Sequence, residues 1–142
     1  MAREGGLLSK EQFVRLARWK SKRKTPDYLS NSEDDVEAAT RAAFFASTEV
    51  EAVAALTQLN GVAQRTATAL LHWMVPDRYP ILNVRVVAAL GEPEPRERDW
   101  NDPACYARIS ARVRDLVGAH GLNLRTVDRA LWAWDKLGGG TR

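Results

Sequence analysis

The chain has 142 residues, 45% hydrophobic and 27% charged, with a net charge of +3 and a single cysteine, Cys105. That is enough chain for one domain with its own core, and one cysteine excludes an internal disulfide and a cysteine-built metal cluster. Formal charge is uneven, at +5 over residues 1–30, −5 over 31–60, zero over 61–100 and +3 over 101–142, so the basic residues gather at the two ends.

Ser9-Lys-Glu-Gln12 has the form of a capping box opening a first helix. Phe13, Leu16 and Ala17 give it an apolar face, and Arg15, Arg18 and Lys22 share another. The densest basic run, Arg18, Lys20, Lys22, Arg23 and Lys24, surrounds Trp19. Such a run is either solvated surface or a face for a polyanion. Pro26 disfavours helix in the residue before it, so residues 25–31 read as a loop. Ser32 opens a second helix with acids in its first turn, where the dipole favours them. Its narrow face is Val36, Ala39, Thr40 and Ala43, closed by Phe44 and Phe45. Thr48-x-x-Glu51 is a second capping box, with Val50, Val53, Ala54 and Leu56 as core candidates of a third helix.

Gly61 breaks that pattern. The next helix carries Ala67, Leu70, Leu71 and Met74 and stops at Pro76. Asn83 is placed to cap a short helix from Val84 to Leu90, and Glu92–Trp100 reads as the longest unstructured connection. Asp102-Pro103 marks a helix start, with Tyr106, Ile109, Val113 and Leu116 at helical spacing. Asn123 or Thr126 caps the last helix, whose apolar face is Val127, Ala130, Leu131 and Trp134. No stretch alternates like a strand. The reading is all-α, about seven helices in a single domain over residues 1–137, with a flexible tail at 138–142.

No apolar run approaches the roughly 20 residues of a membrane span, and Met1-Ala-Arg-Glu-Gly-Gly6 lacks the apolar segment of a signal peptide. A cytoplasmic protein without a membrane partner is the expectation. No Gly-rich nucleotide loop is present, and His72 and His120 stand far apart, so no cofactor is expected.

The pattern Leu56-x-x-Leu59-x-Gly61-Val62-Ala63-x-x-Thr66-Ala67-x-x-Leu70 resembles the helix-hairpin-helix motif. Leu56, Leu59, Val62 and Leu70 would pack its two helices, at about residues 50–75, on each other. Gly61 would permit a tight turn and the close approach of a phosphate. Ala63 stands where the motif usually has a second glycine, and Asn60 where proline is common. An ordinary αα-hairpin with a glycine turn is the structural alternative. The stretch Tyr79-Pro-Ile-Leu-Asn-Val-Arg-Val-Val-Ala-Ala-Leu-Gly91 is similar to the segment after this motif in the DNA-glycosylase superfamily. The resemblance covers about residues 50–91. Over more of its length the chain resembles a family of small bacterial proteins of uncharacterised activity. That likeness lies in Arg18-Trp19-Lys20-Ser21, the hairpin with Tyr79-Pro80, and the ending Leu124-Arg-Thr-Val-Asp-Arg-Ala-Leu-Trp132. It implies a fold and no activity.

The glycosylase resemblance implies DNA as partner. Backbone N–H groups of Gly61, Val62, Ala63, Gln64 and Arg65 would hold a phosphate at the start of the second hairpin helix, with Thr66 following. It also implies a monovalent cation at the backbone of Leu59 and Val62. Arg65, Arg85 and the Arg18–Lys24 run would add salt-dependent, sequence-independent attraction. A Gly61→Asp change is expected to weaken binding and leave the helices intact.

Catalysis is another matter. The superfamily places a carboxylate where this chain has Asn83, and bifunctional members place a lysine where it has Arg65. An amide cannot carry negative charge or serve as an effective base, and arginine stays protonated and forms no Schiff base. Asn83 then caps its helix and Arg65 contacts phosphate. Asp77, Asp99 and Asp102 are carboxylates near enough in sequence to substitute, and Asp128 reads as a salt-bridge partner of Arg125 and Arg129. Trp19 and Trp100 are candidates to stack a base, whereas Trp73 and Trp134 read as core, like Cys105. The function read from sequence is DNA binding without evident base excision. The alternatives are a base-excision glycosylase with a relocated carboxylate, and a protein-interaction module.

Overall fold

A computed structural model describes residues 7–75 and 78–136, without the side chains of Asp135 and Lys136. The tail at 138–142 and Asp77 lie outside the described residues. Among those residues the fold is all-α, with eight α-helices and two 3-10 turns. No helix among them is long and apolar enough to cross a membrane.

Helix α1 (Lys10–Lys20) begins with the expected capping box, Ser9 and Gln12 bonding each other's backbone. Phe13 and Ala17 are buried. A 3-10 turn at Lys22–Lys24 leads into α2 (Thr25–Leu29), where a loop was expected. Proline stands in the first turn of α2, where its missing N–H is no loss and its fixed φ suits a helix. The helix is secured by Tyr28, which is fully buried. Its ring meets Phe13 edge-on at 5.8 Å, and its hydroxyl donates to the Ser21 carbonyl at 2.9 Å.

Helix α3 (Glu33–Phe44) is capped by Ser32 and buries Val36, Ala39, Thr40 and Ala43 as expected, but Phe45 is exposed. Helix α4 (Glu49–Leu56) is capped by Thr48. The Glu51 carboxylate reaches the N–H of Ser47 instead of Thr48, so the expected box is displaced by one residue. Val53 and Leu56 are buried, whereas Val50 and Ala54 face outward. An eight-residue helix presents too short a stripe to bury both sides.

Helix α5 (Gln64–Met74) is the central element and touches α1, α3 and α4. Its small residues Ala67 and Ala69 let neighbours close in, and Leu70, Leu71 and Met74 fill the core. Asn83 caps α6 (Val84–Ala89), accepting the Val86 N–H at 2.9 Å. The connection after it ends in a 3-10 turn, Glu97–Asn101. Helix α7 (Pro103–His120) starts at the Asp102 cap and ends at left-handed Gly121. Helix α8 (Leu124–Lys136) starts at Asn123, whose side chain accepts the Thr126 N–H at 2.8 Å. It lies across α6 and α7. Leu124 and Val127 are buried and Leu131 half-buried, but Ala130 and Trp134 are exposed, against expectation. They fall outside the contact that α8 makes, since a helix lying on one side of a bundle buries a single stripe.

Candidate nucleic-acid interface

The turn between α4 and α5 is built differently from its expected use. Gly61 has φ of +85°, a conformation that favours glycine. A Cβ placed there would stand 2.9 Å from the Asp27 Cβ and from the Tyr28 ring. The close approach that requires glycine is therefore that of α2. Asn31 clamps the turn from the same side. Its carbonyl oxygen accepts the Asn60 N–H at 2.9 Å, and its amide donates to the Asn60 carbonyl at 3.2 Å. A Gly61→Asp change would strain the fold itself, which corrects the expectation that the helices would be left intact.

Two of the expected phosphate donors are used inside the protein. The Val62 N–H donates to the Leu59 carbonyl at 3.2 Å, and the Gln64 N–H to the Asn101 side chain at 3.1 Å. The Leu59 carbonyl that accepts the Val62 N–H is one of the two groups named for a cation. The Gln64 side chain is buried and donates to the carbonyls of Trp100 and Asp102, each at 2.9 Å. Val62 and Thr66 are buried as well, while Ala63 is exposed and Arg65 partly so. The Arg65 guanidinium lies 4.5 Å over the Trp100 ring. Trp100 is buried beneath it, and so is not the free stacking platform expected.

The segment leading to Asn83 is pinned at four successive residues. His72 Nδ1 lies 2.8 Å from the Tyr79 carbonyl, and Tyr106 donates its hydroxyl proton to the Pro80 carbonyl at 2.9 Å. The N–H of Ile81 donates to Asp128 at 3.1 Å and that of Leu82 to Thr68 at 2.9 Å. Side chains from α5, α7 and α8 thus fix the backbone that presents Asn83 and Arg85.

Beside that segment a cavity of about 560 Å³ opens between α1, α5, α6 and α8. Trp19, Trp73 and Trp132 form its apolar walls, with Trp19 edge-on to Trp73 at 6.4 Å. Trp73 is half-buried and belongs to this wall, not to the core as expected. Lys20, Arg85, Arg125 and Arg129 supply positive charge. Arg125 lies 5.3 Å over Trp73 and Arg85 5.1 Å over Trp132, arrangements that favour cation–π attraction. Burial, and then the nearby Arg65 guanidinium, bring the Lys20 ammonium down to about 8. Arg18, Lys22, Arg23 and Lys24 are exposed beside Lys20 in the chain and are not among the cavity walls.

Asn83, His72 and Asp128 also line the cavity. Asp128 was expected to pair with Arg125 and Arg129. It is instead buried, with Oδ2 accepting the Ile81 N–H and lying 3.6 Å from His72 Nδ1. Oδ1 is buried with no hydrogen-bond partner. Burial pushes the carboxyl up to about 7, against the opposing pull of the Ile81 N–H. The sequence did carry a signal for this. Asp128 lies four residues after Leu124 and three before Leu131, inside the apolar stripe. The other carboxylates are engaged elsewhere, Asp99 with Arg96 at 3.1 Å and Asp102 as the α7 cap. A second hollow of about 300 Å³, lined by α4 and α7 residues such as Val50, Val53 and Tyr106, gathers no such cluster of cations.

Comparison with protein-family models, curated proteins and solved structures found no match. Functional reading therefore rests on the residues and their geometry.

Proposed function

We propose that the protein binds DNA through the cavity face, with sequence-independent phosphate contacts and an unpaired base held among the tryptophans. The observation that carries this reading is that cations distant in the chain meet aromatic side chains at one cavity. Lys20 comes from α1 and Arg125 and Arg129 from α8, interleaved with Trp19, Trp73 and Trp132. Cations that follow a backbone, together with aromatic faces that accept any base, are what single-strand binding requires. The N–H groups of Gly61, Ala63 and Arg65 are the remaining donors at the α5 start for a phosphate, as the resemblance to helix-hairpin-helix proteins implies. Asn83 is a helix cap and Arg65 a cation, so neither position supplies base-excision chemistry.

Titration of labelled single-stranded, duplex and abasic DNA at two salt concentrations tests the proposal. Binding should fall steeply with salt, and each phosphate contact removed should lower the logarithmic salt slope by about 1. Absence of binding to every form at low salt would remove it.

One observation favours the enzymatic alternative. Asp128 is a carboxylate in the cavity with an unpartnered oxygen, and base excision needs a carboxylate to stabilise positive charge on the sugar or to activate water. Under that reading, base release from oligonucleotides with damaged bases should speed up as pH rises through about 7, where Asp128 ionises. Asp128→Asn should abolish it. Release that is undiminished in Asp128→Asn rules out this carboxylate.

A further inference from the structure

We infer that the cavity takes the phosphorylated end of a strand, a terminal nucleotide with its phosphate monoester, in preference to the strand's interior. The inference rests on the nucleic-acid reading of the same cavity and names the part of the nucleic acid that the cavity selects.

Elsewhere on the molecule arginines are matched by acids. On α7, Arg108 and Arg112 pair with Glu92, and Arg114 pairs with Glu49. Arg15, Arg41 and Arg96 pair with Glu11, Glu37 and Asp99. At the cavity the matching stops. Among the described residues, Lys20, Arg125 and Arg129 form no ion pair. Arg125 and Arg129 stand four apart on α8, where like charges repel. Lys20 is brought in from α1, and burial and the Arg65 guanidinium both disfavour its charged form. The one carboxyl among the lining residues, Asp128, turns Oδ2 to the Ile81 N–H and His72 and encloses Oδ1, so it neutralises none of the three. Cations gathered without acids are stabilised by a bound anion.

Two kinds of phosphate compete for them. An internal phosphodiester brings one negative charge and two free oxygens. A terminal monoester brings roughly 1.5 to 2 charges at pH 7 and three acceptor oxygens. Around a single recess, the phosphate that delivers more charge in the same volume is favoured, and arginine forks bond its oxygens in pairs. The rest of the terminal nucleotide has a place as well. Trp19 is exposed at the rim, and aromatic faces stack any base. A volume of about 560 Å³ lies within the roughly 300–1,000 Å³ of small-ligand sites.

The test is the affinity of the whole protein, at low salt and pH 7, for dT12 with a 5′-phosphate, dT12 with a 3′-phosphate, and dT14 with hydroxyl ends. The dT14 strand controls for charge, since its two added phosphodiesters match one terminal dianion. We expect one of the phosphorylated strands to bind about tenfold tighter than dT14, the scale of one charge-assisted hydrogen bond. Thymidine monophosphate should displace that strand at lower concentration than inorganic phosphate does. In Lys20→Gln the preference over dT14 should shrink toward one. In Lys22→Gln, whose side chain is exposed and outside the cavity walls, it should hold. Circular dichroism and thermal melting establish that the variants fold, and the comparison of strands on the unaltered protein needs no variant. Phosphorylated strands that bind no tighter than dT14, equal displacement by the nucleotide and by inorganic phosphate, or a preference lost equally in both variants overturns the inference while leaving DNA binding standing. Failure of every strand to bind removes the DNA-binding reading as well.

Discussion

Asp128 shows how one side chain in an apolar register acquires unusual properties. Asp128 is 6% exposed, and its carboxyl lies against the Ile81 backbone, where the charged form is poorly solvated. In the unfolded chain it ionises near 3.8, in the folded chain only near 7. Between those values the folded protein holds a proton that the unfolded chain has released. Its contribution to stability is therefore full below about pH 4, declines as pH rises toward 7 and is level beyond. Asp128→Asn removes this dependence and keeps an acceptor for the Ile81 N–H. Relative to the unaltered protein, the variant should gain on the order of a few kcal/mol at pH 8 and little at pH 4, at about 1.4 kcal/mol per pKa unit. Denaturant melts at the two pH values measure the difference, and a gain equal at both would contradict the burial argument.

At the scale of elements, the α4–α5 turn and α2 form one unit. Asn31 clamps Asn60, and Gly61 lies against Asp27 and Tyr28. Gly61→Ala combines an unfavourable positive φ, about 1–2 kcal/mol, with an overpacking clash that typically costs about 1–3 kcal/mol. Gly121 offers a control, since its φ is +64° and a Cβ there meets nothing within 4 Å. Gly121→Ala should cost the conformational part alone. Equilibrium unfolding should rank the two accordingly, and equal losses would mean that the contact with α2 is not tight. The sequence pointed to glycine here for a phosphate. The neighbour that fills the space is α2, a helix hidden from the sequence reading because Pro26 suggested a loop.

At the scale of the molecule, the fold sets charge where the chain order does not. Residues 15–24 and 125–129 are separated by a hundred positions, yet Lys20, Arg125 and Arg129 line one cavity. The acids of α3 at 33–37 are exposed and do not line it. Charge reversal at Arg129 on α8 should therefore weaken DNA binding and reduce its salt slope, and so should Lys20→Glu on α1. Reversal at Asp34 on α3 should leave both unchanged. Fluorescence anisotropy at two salt concentrations distinguishes the three. An Asp34 variant as impaired as the Arg129 variant would show that net charge, and not the cavity face, governs binding.

The sequence alone determined the helical class, the caps at Ser9, Ser32, Asn83 and Asp102, and most of the core of α3, α5 and α7. These follow from short-range rules: a cap bonds within three residues, and a stripe repeats every three or four. Only the tertiary structure decided what α2 and the turn do to Gly61, that Trp73 forms a cavity wall and Trp100 lies buried under Arg65, and that Asp128 faces His72 and Ile81. Those outcomes depend on contacts across tens of residues; the apolar register of Asp128 signals its burial but not its neighbours. The environment of a side chain is set by the helices packed against its own, and here that environment distinguishes a carboxylate with a buried, unpartnered oxygen from a surface salt bridge.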